Sequence, residues 1–79
     1  MSVEYKRGTA HLRDVVTVEQ AESLFEWLQA HRKPRVDLSA CTHLHCANLM
    51  LLLALRPTIA AMPRDPALAG WIAQSLAQR

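Results

Sequence analysis

Residues 35–57, RVDLSACTHLHCANLMLLLALRP, carry the reading on which the fold turns. RVDLS reads as a short strand with Val36 and Leu38 facing one way, and ACTHLH after it reads as a loop. From Ala47 to Leu55 the chain is apolar on nearly every side. This second helix ends before Arg56 and Pro57, because the residue preceding a proline is pushed out of helical geometry. Strand, loop and apolar helix in that order form part of an α/β unit. Two cysteines and two histidines between 41 and 46 pose a further question: is the loop a chemical site, or the place where a helix begins?

Upstream, Val18, Ala21, Phe25 and Leu28 recur at helical spacing, with Leu24 and His31 beside them and Glu19, Glu22 and Glu26 opposite. Thr17 followed by Gln20 fits a capping box, in which hydroxyl and side-chain amide each satisfy a backbone N–H at the helix start. His31, Arg32 and Lys33 close this helix and Pro34 stops it, so HRKPR reads as a solvated helix end rather than a phosphate site. Residues 2–6 alternate Val3 and Tyr5 with polar neighbours, Gly8 interrupts, and 9–12 resume the pattern, which predicts a short hairpin or bent strand. Downstream, 58–62 predict one more short strand. Asp65 before Pro66 is an N-cap followed by a first-turn proline, opening a helix to about Gln78 with Leu68, Ile72 and Leu76 buried. Trp27 and Trp71 fall on helix flanks, at the edge of a core. The expected fold is α/β: a single domain over 1–79, with about four short strands in a mixed sheet packed with three helices.

A chain of 79 residues builds one small core and buries roughly 60% of its unfolded surface, so a partner surface matters. With 51% hydrophobic and 20% charged residues it is globular. A net charge of +2 and few aromatics argue against nucleic acid. Lys6 and Arg7 are followed by no apolar stretch, and Leu49–Leu55 falls far short of the ~20 residues of a membrane span. The expectation is a soluble cytoplasmic protein without membrane insertion. Gly8 and Gly70, the only glycines, open no phosphate cradle.

Two stretches, VEQAESLFEWL at 18–28 and RVDLSACTHLHCANLMLLLAL at 35–55, resemble the STAS domain of anti-sigma-factor antagonists and sulfate-transporter tails. That family shows an early helix, a strand ending in VDLS, and a D-S-(S/T)-G-L loop opening the next helix. About half the chain carries the resemblance. Laid on this sequence, the family loop puts His45 at the acidic position, Cys46 at the first serine, Ala47 at the hydroxyl residue that partner kinases phosphorylate, and Asn48 at the glycine. The resemblance therefore implies a non-catalytic protein-interaction module in bacterial signalling or transport regulation, without the phospho-switch, since Ala47 has no hydroxyl to modify.

Cys41, His43, His45 and Cys46, with His11 as an addition, are zinc or copper ligands by type. Their spacing lacks the paired ligands of a structural zinc site, so no metal and no cofactor is assigned. A metal- or redox-responsive sensor built on the Cys41–Cys46 loop is the alternative function. Both cysteines are expected as reduced thiols, and no catalytic residue is assigned. On the second helix Leu49, Leu52 and Leu53 would cover the sheet while Met50, Leu51 and Ala54 point away, each large apolar side chain left in water forgoing roughly 1.5–3 kcal/mol. The expected partner-binding residues are His45, Cys46, Ala47, Met50, Leu51 and Ala54. They would serve a homodimer, or a regulator, kinase or transporter subunit.

Overall fold

In the computed structural model, which describes residues 3–77, β1 (Val3–Lys6) turns back into β2 (Thr9–Val16) as an antiparallel hairpin, with Val3 opposite Leu12 and Lys6 opposite Thr9. Arg7 at φ 50° and Gly8 at φ 77° form the turn. Positive φ at both central residues is the type I′ pattern, whose twist matches that of the flanking strands. Ser2 and Gln78, expected in the first strand and last helix, lie outside the described residues.

After β2 come α1 (Ala21–Ala30), β3 (Arg35–Leu44), α2 (Cys46–Leu55), β4 (Thr58–Ala61) and α3 (Pro66–Ala77). The strands lie in the order β1-β2-β3-β4, with β1 antiparallel to β2 and the remaining pairs parallel. The architecture is thus the expected mixed four-stranded sheet with three helices. Both crossovers step the same way along the sheet, and the right-handed rule puts α1 and α2 on one face, where they touch each other and α3 touches α2. One core joins the layers: Ala10, Leu12, Val16, Val36, Leu38 and Leu44 from the sheet meet Leu24, Leu28, Leu49, Leu52, Leu68 and Ile72 from the helices.

β3 corrects the expected loop. Residues 40–44 continue the strand to Leu44, so there is no ACTHLH loop, and β2 likewise runs past Leu12 to Val16. The register explains why this was hidden. His11 pairs with Asp37 but Arg13 with Ala40, and Asp14 pairs with Cys41 but Val15 with His43, so β3 carries an extra residue at two places. Each bulge turns the period of two into three, and the inward residues become Val36, Leu38, Cys41 and Leu44. No strand-like alternation survives beyond Ser39.

The start of the first helix also differs. Val18–Gln20 form a 3₁₀ turn, and no side-chain cap forms at Thr17; Gln20 N–H donates instead to the Thr17 carbonyl at 3.1 Å. The tighter turn shifts the phase, so Leu24 and Leu28 are buried while Val18 and Phe25 are exposed. At the other end His31 Nδ1–H donates to the Trp27 carbonyl at 2.8 Å, and Trp27 is half-buried between Tyr5 and His31, with ring centroids 5.2 and 4.2 Å away. Trp71 is exposed.

The remaining helix ends follow the sequence signals. Arg56 closes α2 in the left-handed region, at φ 47°, with its N–H on the Leu52 carbonyl at 2.9 Å. Asp65 Oδ1 accepts from Ala67 N–H at 3.3 Å, capping α3. Among the described residues no helix is long and apolar enough to cross a membrane. The edge strands are short and β4 lies between Pro57 and Pro63, which limits pairing with another strand.

A Cβ at Gly8 would meet nothing within 4 Å, so only the positive φ resists substitution there. Gly8→Ala should lower stability by about 1 kcal/mol, while Arg7→Asn, the residue type I′ turns favour, should raise it. Thermal melts of the two variants should move in opposite directions.

Candidate functional site

Where the parallel strands end, three backbone and side-chain contacts lock the start of α2. His45 N–H donates to the Val16 carbonyl at 3.0 Å, tying the end of β3 to the end of β2. His45 itself is the N-cap, and its Nδ1 accepts from Ala47 N–H at 3.0 Å. An accepting Nδ1 has no proton, so a neutral ring carries its hydrogen on Nε2. At the third residue of the helix, Asn48 is completely buried and donates from Nδ2 to the Thr17 carbonyl at 2.7 Å. Its Oδ1 is buried without a partner in the structure. Ala47 is half-buried, and Cys46 is exposed at the first helical residue.

Beyond this turn α2 sorts its apolar residues by face. Leu49 and Leu52 are buried, Leu51 and Leu53 are half-buried and pack on the core, and Met50 is 65% exposed with Ala54 exposed a turn later. The structure thus spreads the expected partner-binding residues along the length of α2, with Cys46, Met50 and Ala54 exposed at spacings of four and His45 and Ala47 half-buried at its start. Leu51 is shared between the exposed side and the core.

The proposed metal ligands are not brought together. Cys41 faces the core, where its thiol donates to the His43 carbonyl at 3.5 Å, while the His43 side chain is exposed. Burial pushes the Cys41 thiol above its ordinary value, and Asp14 adds to this against the opposing hydrogen bond to His43. It is an inert thiol rather than a nucleophile. Cys41 and Cys46 are both free, and among the described residues no group of three or more His, Cys, Asp or Glu is placed to hold a metal ion. The Cys41–Cys46 segment is a strand end and a helix start rather than the expected loop.

A second concave surface was not foreseen. On the open face of the sheet, His11, Leu12, Arg13, Asp37, Ser39 and Ala40 line a depression of about 170 Å³, at the β3 bulge next to Ser39. His11 Nδ1 lies 3.3 Å from Asp37 Oδ2, and Arg13 reaches Glu4 at 2.8 Å. Hydrogen bonds from Ser39 hold the Asp37 carboxyl below its ordinary value, with His11 contributing less. Ser39 therefore serves Asp37, its N–H donating to Oδ1 at 2.9 Å within β3, and this is not the hydroxyl–imidazole pairing of a nucleophile and base. The sequence clue, His11 beside Asp37, emerges only once β2 and β3 are known to be in register.

No protein-family model, curated protein or solved structure matches this chain.

Replacing His45 by Ala should cost about 1 kcal/mol through loss of the cap, whereas His45→Asp should keep it and favour the positive helix end. Chemical denaturation separates the two variants; equal loss in both would mean that the imidazole does not cap. Asp37 makes a separate acid-side prediction. Because its folded value lies below the ordinary 3.8, its stabilisation is complete above that value and is lost as pH falls through the folded value. Asp37→Asn should flatten stability against pH in that range and leave it unchanged in slope near neutrality.

Proposed function

We propose that the protein is a non-catalytic, STAS-like protein-interaction module of bacterial signalling or transport regulation, acting in the cytoplasm as a homodimer and not phospho-switched at position 47. The observation that carries the reading is the 65% exposure of Met50, on a helix that is otherwise the most apolar part of the chain. Ala54 continues the exposed strip, and Cys46 begins it, with Ala47 half-buried beside it. Burying such a strip against its own copy satisfies both surfaces at once, and the flexible thioether of methionine adapts to the contact.

Support for the family resemblance comes from the position of two motifs. VDLS lies on the strand between α1 and α2, and the residues aligned with the family loop, His45 to Leu49, cap and open α2. The strand runs on past VDLS to Leu44, so the family loop is met at a strand end. Ala47 offers no hydroxyl, and the cap is built without one.

Sedimentation at about 0.3 M salt, where exposed charges are screened, should show a dimer. Met50→Glu should dissociate it with the thermal melt unchanged, because an unpaired charge is excluded from an apolar contact. Leu51→Glu should lower the melt as well, since that side chain packs on the core. A monomer at millimolar concentration would contradict the homodimer. Incubation with serine kinases of the partner-switching type should leave residues 45–49 unmodified by mass spectrometry, and phosphate on Thr42 would contradict a constitutive module.

A further inference from the structure

The two ends of the sheet carry opposite charge. β2, β3 and β4 all begin at one end, and Lys6, Thr9, Arg35 and Thr58 form one row across the four strands there. Arg35 N–H donates to the Gly8 carbonyl at 3.1 Å and Thr58 N–H to the Pro34 carbonyl at 3.0 Å, which brings the hairpin turn, the α1–β3 link and the α2–β4 link together. This end therefore holds Lys6, Arg7, Arg32, Lys33, Arg35 and Arg56, six of the nine lysines and arginines. Lys6 is 3.4 Å from Glu4, and Arg56 donates to the Leu76 carbonyl at 3.1 Å. Among the described residues no ion pair engages Arg7, Arg32, Lys33 or Arg35, all of them exposed.

At the other end stand Asp14 near the close of β2, Glu19 and Glu22 where the first helix begins, and Asp65 where α3 begins, four of the seven acids against two arginines, Arg64 and Arg13, of which Arg13 is paired with Glu4 at 2.8 Å. All four acids are exposed. Part of this polarity follows from helix dipoles, which favour acids at helix starts and cations at helix ends. The dipoles do not account for Lys6, Arg7 and Arg35, which belong to the hairpin and to a strand. From Thr9 in the basic row to Asp14 is five residues of β2 at about 3.3 Å each, so the two charged groups lie roughly 17 Å apart, about twice the screening length of about 8 Å at physiological salt. They do not neutralise one another within the molecule, and the net charge of +2 conceals both fields.

We propose that a second copy of this chain docks head to tail, setting the acidic end at Asp14, Glu19, Glu22 and Asp65 on the basic end at Arg7, Arg32, Lys33 and Arg35. The occupant is argued from charge complementarity, since each copy carries the counterpart of its own basic surface. Such a contact is heterologous, leaves one end of each kind free, and so extends into chains or closes into rings. Its acidic end adjoins the start of α2, where Asn48 donates to the Thr17 carbonyl, but it does not use Met50, on which the dimer proposed above rests.

The test is sedimentation velocity on the full chain, with and without Met50→Glu, at about 20 mM and about 300 mM salt, conditions that shorten the screening length from about 20 to about 6 Å. Species larger than a dimer should form in the wild type at low salt, and association of the Met50→Glu chain should weaken at least about tenfold at high salt. Arg32→Glu with Lys33→Glu should abolish this association, and so should Glu19→Lys with Glu22→Lys; mixing the two double variants should restore it. Circular dichroism checks that each remains folded, as expected for exposed positions. Association that persists in either double variant alone, that is insensitive to salt, or that fails to return on mixing would overturn the proposal. So would low-salt monomers that instead bind single-stranded RNA or anionic phospholipid vesicles through the basic end.

Discussion

A hydrogen bond from Nδ2 of the buried Asn48 to the Thr17 carbonyl, at 2.7 Å, ties together the end of the molecule where β2, the 3₁₀ turn and α2 meet. Thr17 is where the chain leaves the sheet for the first helix, and Asn48 sits where it leaves the sheet for the second. Their link fixes the relative position of the two crossovers. His45 repeats the tie through the backbone, to the Val16 carbonyl, and caps the helix through its ring. A buried amide forfeits its hydration, so this junction is favourable only when the two connections are in register. The packing of α1 on α2, and the direction in which α2 presents Met50, depend on that register.

The same junction decides the chemistry at 41–46. Histidine and cysteine are there, but the fold uses them separately: Cys41 as a small core residue, His43 on the exposed side, His45 as a cap, and Cys46 at the helix start. Two bulges in β3 are responsible, because each extra residue changes which way the following side chain points. One bulge also lies at the depression beside Ser39, so that concavity and the dispersal of the metal-type residues both sit at irregularities of β3.

Local signals made much of this legible. The hairpin at Gly8, the stop at Arg56–Pro57 and the start at Asp65–Pro66 each rest on the backbone preferences of the residues present, and each stands where expected. The failures lie where distant partners intervene. Thr17 and Gln20 have the composition of a capping box, yet no side-chain cap forms, and the Thr17 carbonyl instead accepts from both Gln20 N–H in the 3₁₀ turn and Asn48 Nδ2, 31 positions away. The tighter turn rotates Phe25 outward and leaves Leu24 as the buried residue. β3 escaped for a different reason: a period of three in Leu38, Cys41 and Leu44 resembles neither a strand nor an amphipathic helix. For the candidate surface, the exposure of Met50 and Ala54 was legible from helical spacing, whereas the sharing of Leu51 with the core required the packed layers.

Central to the account is a helix start locked by Asn48 and His45 so that Met50 is offered to a second copy. Met50 and Met62 provide the most direct measurement, because one is exposed on α2 and the other is half-buried against the core. In ¹³C-methyl spectra recorded through a dilution series at about 0.3 M salt, where contacts between charged ends are screened, the account predicts that the Met50 methyl shifts with concentration while Met62 holds its position. A Met50 signal unchanged across the series, with concentration-dependent shifts appearing instead around His11 and Asp37 on the open sheet face, would contradict it.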